Sequence, residues 1–253
     1  MNMRLHRPLY RYLFLLLMLV LAGSMTGGAQ PRESKLPPGL LWVSRSVEYA
    51  AICQQTYRSA WQAVKRAAAR EHSDWAVVLD VDETVLNNAQ YEIELAQKGE
   101  HYTPKSWAAW VRRQQATPVP GVRAFLDSVR SLGPQAHVVF ITNRDAALET
   151  PTMANLRAFG LWRQGDVLLA RKERADTKVI RRREVETGTG RCAGLGPRHI
   201  LALFGDQLAD LMDVNFVAAP DSMRRHYLHQ PGWARRYFML PNPMYGAWQR
   251  GYH

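Results

Sequence analysis

Two carboxylates one residue apart, Asp80 and Asp82, end the apolar run Ala76-Val77-Val78-Leu79 and are followed by Glu83 and Thr84. A run of this kind reads as a buried strand. Acids at its carboxyl end are costly unless a cation or a reaction uses them, and that end is where open α/β sheets place their ligands. Two later strands end in the same manner, one in Ile141-Thr142-Asn143-Arg144 and one in Phe204-Gly205-Asp206-Gln207-Leu208-Ala209-Asp210. In a parallel sheet these ends converge on one edge and gather carboxylates, a hydroxyl and nearby lysines. Clustered carboxylates resist ionising together. A hard divalent cation relieves the repulsion, and oxygen-only ligands favour Mg²⁺ over zinc. A cation with open positions beside a lysine suits metal-assisted phosphoryl transfer.

The elements that must position these residues follow from periodicity. Ala50, Cys53, Tyr57, Trp61, Val64 and Ala68 recur at helical spacing over residues 47–68. Strands are expected at residues 74–82, 137–142, 167–170, 199–205 and 237–240. Helices are expected from Gly121 to about residue 132, over 151–159, and over a basic stretch at 177–186. Alternating strands and helices imply an α/β fold with a mostly parallel sheet. Residues 87–118, rich in Tyr91, Tyr102, Trp107 and Trp110, read as a mainly helical cap. Residues 187–197 hold Gly188, Gly190, Gly194 and Gly196 and read as a flexible loop.

The chain has 253 residues and a formal net charge of +11. Arg4, Arg7 and Arg11, ahead of the apolar residues 13–22, form a leader with a cleavage site at Gly27-Gly28-Ala29. Without those three arginines the charge is +8. The expected division is a signal peptide at 1–29, an exposed lead-in at 30–39 and one domain over 40–253, its cap made by residues 87–118 and the N-terminal helix. Export to the periplasm or medium follows, with an uncleaved anchor as the alternative. A basic surface steers anions, but no helix-turn-helix, zinc-finger or RNA-binding signature points to nucleic acid. Cys53 and Cys192 are compatible with one disulfide or with two buried thiols.

The motifs taken together, Asp80-Val81-Asp82-Glu83-Thr84, Thr142, Lys178 with Arg181, and Gly205-Asp206 with Asp210, resemble those of the haloacid dehalogenase superfamily. With Trp107-x-x-Trp110-Val111, Val119-Pro120-Gly121 and Leu240-Pro241-Asn242-Pro243-Met244-Tyr245-Gly246-x-Trp248, the chain is similar to the class C acid phosphatases, which include lipoprotein 5′-nucleotidases. The resemblance implies a Rossmann-like three-layer α/β/α fold with a small helical cap. It makes Asp80 the nucleophile, Asp82 the acid and base, and Thr142 and Lys178 the phosphate contacts. Mg²⁺ would sit on Asp80, Asp82 (through its carbonyl) and Asp206, with Asp210 and Thr84 as outer supports. Trp107 and Tyr245 would stack on the base of a nucleoside monophosphate. Gln207 stands where the family usually has Asn. No cysteine near the cleavage site offers lipid attachment.

The expected activity is hydrolysis of a small phosphomonoester, with a homodimer left open. Transfer to an acceptor alcohol is the alternative within enzymes. A non-catalytic storage protein on the same fold is the alternative outside them, and retention of Asp80 argues against it.

Overall fold

Ala76, Val77, Val78 and Leu79 are all buried, which a strand achieves only when both faces of its sheet are covered. Alternate residues enter two separate cores. Val77 and Leu79 pack with Tyr57, Val64, Phe125 and Leu126 on one face, and Ala76 and Val78 with Val185 and Leu211 on the other. The three expected layers are therefore present. The computed structural model describes residues 36–214 and 220–250. The leader at 1–29 and the start of the lead-in lie outside the described residues.

In chain order, α1 (Pro38–Arg45) and α2 (Val47–Ala68) precede β1 (Trp75–Leu79). The Ser46 hydroxyl caps α2 by accepting from the Tyr49 amide at 3.0 Å. The cap holds β2 (Leu86–Asn87), α3 (Ala89–Lys98), α4 (Pro104–Arg113) and β3 (Thr117–Pro118), and β2 pairs antiparallel with β3 at its base. Then come α5 (Val122–Arg130), β4 (Ala136–Asp145), α6 (Glu149–Ala158), β5 (Val167–Arg171), α7 (Lys178–Thr187) and β6 (His199–Gly205). The short α8 (Leu208–Leu211), α9 (Pro220–Leu228) and β7 (Tyr237–Met239) close the described chain, followed by a 3₁₀ turn at Ala247–Arg250.

The sheet order is β5-β4-β1-β6-β7, and every pairing in it is parallel. After β1 the chain builds outward through β4 and β5, then crosses back to add β6 and β7 on the opposite side. The carboxyl end of β1 is thus the switch point, where a crevice opens between strands running to opposite sides. Asp80 and Asp82 sit there.

Three expectations need correcting. Helix α1 begins at Pro38, inside the stretch read as exposed lead-in, and buries Leu40 and Val43. Residues 187–197 are pinned rather than flexible: Arg191 bridges Asp176 at 3.0 Å and Glu184 at 2.9 Å, and Cys192 is buried. The basic stretch on α7 lends only part of its charge to the expected basic surface, because Arg181 and Arg182 are buried. Cys53 and Cys192 are free buried thiols.

Candidate active site

Leaving β1, the backbone amide of Asp80 still donates to the Phe204 carbonyl of β6 at 3.0 Å, which fixes the acid beside the end of the neighbouring strand. Beyond it, Glu83 takes φ +57°, and Glu83 and the Leu86 carbonyl close a tight loop (N···O 2.8 Å). A non-glycine residue in that region persists only when its surroundings hold it. Two features hold it: the Tyr57 hydroxyl donates to the Thr84 carbonyl at 2.6 Å, and Thr84 is fully buried.

Asp80, Asp206 and Asp210 each bring an oxygen to within 4.8 Å of the others, and no other such group occurs among the described residues. Lys178, the first residue of α7, reaches into this cluster. Its Nζ contacts Asp80 directly and Asp210 at 2.6 Å. Asp206 accepts at 2.7 Å from both Gln207 Nε2 and Asn242 Nδ2. Burial pushes the Asp80 carboxyl well up, with Lys178 opposing and the other acids adding to it. Burial and Asp210 push Asp206 up to about 8. Lys178 is held charged, its burial outweighed by Asp210 and Asp80. Three acids facing one ammonium leave surplus negative charge, which a proton or a cation must cancel. The all-oxygen donor set fits a hard divalent ion. Asp210, expected as an outer support, contributes an oxygen to the same cluster.

This cluster depends on Gly205. A Cβ there would fall inside the side chain of Asp210. Gly205→Ala is therefore expected to destabilise the fold by about 1–3 kcal/mol through overpacking and to weaken metal binding; a melting curve and a cation titration check both.

Asp82 points elsewhere. Its carboxylate meets Arg144 at 2.7 Å and Asn88 at 3.0 Å, with the Thr142 hydroxyl at 3.5 Å. Fully buried Arg181 donates to the carbonyls of Thr142 and Leu169 and, at 2.7 Å, to Asn143 Oδ1, so it fastens the ends of β4 and β5 together. Trp107 lies 5.6 Å from the Arg144 guanidinium, and the Tyr245 hydroxyl donates to Glu83 Oε1 at 2.8 Å. The two aromatics thus flank the Asp82-Glu83 segment from the cap and from the tail.

Sequence reasoning missed several members. Arg144 and Trp110 are given no role by the motifs, yet Arg144 pairs with Asp82 and Trp110 Nε1 donates to Asn88 Oδ1 at 2.8 Å. Glu83, buried and pushed up to about 8 mainly by burial, binds Asn88 and Tyr245. Alternation along β4 was the available signal for Arg144: it stands two residues after Thr142, hence on the same face.

Residues 31–248 match the family described as HAD superfamily, subfamily IIIB (acid phosphatase). Among solved structures, the chain is similar to the class C acid phosphatase from Bacillus anthracis at 25% identity and TM-score 0.72, covering 84% of this chain and 86% of that one. The same enzyme with tungstate bound aligns at 26% identity and TM-score 0.73, covering 85% and 88%. Vegetative storage protein 1 of Arabidopsis thaliana is 23% identical over 201 residues, 79% of this chain; the match spans 66% of that relative's length, just under two thirds.

Proposed function

The chain belongs to the HAD superfamily, subfamily IIIB, the acid phosphatases, and from that membership we propose that it is a Mg²⁺-dependent, secreted or periplasmic phosphomonoesterase favouring nucleoside 5′-monophosphates. The observation that carries the reading is Asp80, a buried carboxylate clustered with Asp206 and Asp210 and bridged to Asp210 by Lys178, at the switch point of the sheet. That the B. anthracis enzyme has been solved with tungstate bound supports an oxyanion site on this fold.

In the proposed reaction an oxygen of Asp80 attacks phosphorus and forms an aspartyl-phosphate while the bond to the leaving oxygen breaks. Asp82 gives its proton to that oxygen. It then takes a proton from the water that attacks phosphorus, releasing inorganic phosphate and restoring Asp80. Lys178 and the Thr142 hydroxyl hold the phosphoryl oxygens as charge moves. Asp80, Asp206 and the Asp82 carbonyl would hold a divalent cation, which would supply positive charge to the phosphoryl oxygens. Lys178 already lies against Asp80, so the charge that receives the phosphoryl oxygens is in place before substrate arrives. Among alternatives, storage alone does not account for the intact Asp80.

The aromatic flank sets the expected preference. Stacking on a base is worth roughly 1–3 kcal/mol, so Trp107→Ala or Tyr245→Ala should lower the ratio of kcat/KM for a nucleoside monophosphate over a sugar phosphate by about five- to a hundredfold. Tyr245→Phe should keep it. An unchanged ratio in both alanine variants would remove the nucleotide assignment while leaving phosphatase activity untouched.

A further inference from the structure

The carboxylate of Asp82 is gripped unevenly. Its Oδ1 accepts from Arg144 Nη2 at 2.7 Å, Arg144 Nε at 3.0 Å and Asn88 Nδ2 at 3.0 Å. Its Oδ2 takes only the second limb of the Arg144 Nε contact at 3.2 Å and the Thr142 hydroxyl at 3.5 Å. Neither main donor is free to turn. Arg144 Nη1 is committed to Thr152 Oγ1 at 3.1 Å. The Asn88 carbonyl oxygen accepts from the buried indole of Trp110 at 2.8 Å, which decides that the amide nitrogen faces Asp82. Exposure separates the roles: 21% of the Asp82 side chain is open but only 1% of Arg144, so Asp82 can meet a substrate and Arg144 cannot.

We propose that Arg144 and Asn88, with Trp110 locking Asn88, are positioning residues that saturate Oδ1 of Asp82 and so leave Oδ2 as the atom that exchanges the proton. This rests on the acid and base role given to Asp82 above. In the first step the proton leaves Oδ2 for the departing oxygen, which keeps the electron pair of the broken P–O bond. In the second, Oδ2 takes a proton from the attacking water. Proton transfer needs hydrogen-bond reach and alignment, and small misplacements of a reacting group cost large factors in rate. The clamp also joins the acid to the cap, because Asn88 opens α3 and Trp110 lies on α4. A cap that shifts carries the Asn88 donor with it.

The test compares phenyl phosphate, whose leaving group needs a proton, with 4-nitrophenyl phosphate, whose leaving group needs it far less, using the Mg²⁺-loaded full chain. Arg144→Met is expected to lose about a hundredfold in kcat on phenyl phosphate and less than about tenfold on 4-nitrophenyl phosphate. Asn88→Ala and Trp110→Phe should show the same skew at about tenfold, and Arg144→Lys should recover part of the loss. Equal losses on both esters in all three variants overturn the proposal, since a merely structural defect would not discriminate leaving groups. If Arg144→Met does not fold, Trp110→Phe, which removes the indole N–H and shortens the buried ring without adding a charge or a polar group, decides the matter. Asp82→Ala is the reference. Should it discriminate while the other three do not, the positioning role alone is wrong; should it fail to discriminate, the acid role itself is wrong.

Discussion

Asp80→Asn is expected to lower kcat by about 10⁴-fold or more while the protein still folds and still binds its cation and phosphate weakly. The amide keeps the shape of the carboxyl but has no charged oxygen to offer phosphorus. Folding should survive because the partner most at risk, Lys178, retains Asp210 at 2.6 Å. Removing one of three crowded acids also relieves repulsion, so the metal-free melting temperature should stay level or rise. Acid-quenching the wild-type enzyme during turnover of a ³²P-labelled ester should trap label on the chain, and the variant should trap none. Near-normal turnover in Asp80→Asn, or label on the variant, would sink the nucleophile assignment.

The second large effect concerns the cation. Chelation is expected to bring activity to background and restoring Mg²⁺ to recover it, with Asp206→Asn reproducing the loss even at high Mg²⁺. Stability must respond as well. A ligand at a hundred times its Kd stabilises by about 2.7 kcal/mol, or about 5–10 °C in Tm for a domain of this size. The pH dependence has a definite sign. Asp80 and Asp206 are raised in the folded state, Asp206 to about 8, so between about pH 4 and 8 the unfolded chain sheds protons that the folded chain retains. Metal-free stability should therefore fall as pH rises through that window, and the cation should flatten the slope. A Tm unaffected by chelation at pH 7.5 would rule out the cluster as a metal site.

The strand-end acids are legible in the sequence because a carboxylate closing a β-branched run is an anomaly that periodicity exposes at once. Asp80, Asp206 and Lys178 needed only the parallel topology to be brought together. The clamp on Asp82 is not legible in that way. Trp110 obeys the burial pattern of α4, and nothing in that pattern says that its indole N–H also reaches Asn88. Arg144 and Arg181 look like two more charges in a basic chain, whereas both are buried: Arg144 spends its donors on Asp82 and Thr152, and Arg181 on the ends of β4 and β5. Orientation, not residue type, carries their role. The pinned stretch at 187–197 was obscured for a related reason: its glycines signal turn geometry, but the order comes from Arg191, a single side chain bridging Asp176 and Glu184.

The two cysteines occupy opposite sides of the central sheet, Cys53 in the core shared with Val77 and Leu79 and Cys192 in the core shared with Ala76 and Val78. A covalent link between them would have to pass through a hydrogen-bonded layer of backbone, far beyond what a disulfide spans. Oxidation of this pair thus belongs to chains that have not finished folding, and closure of the sheet is the event that ends the risk.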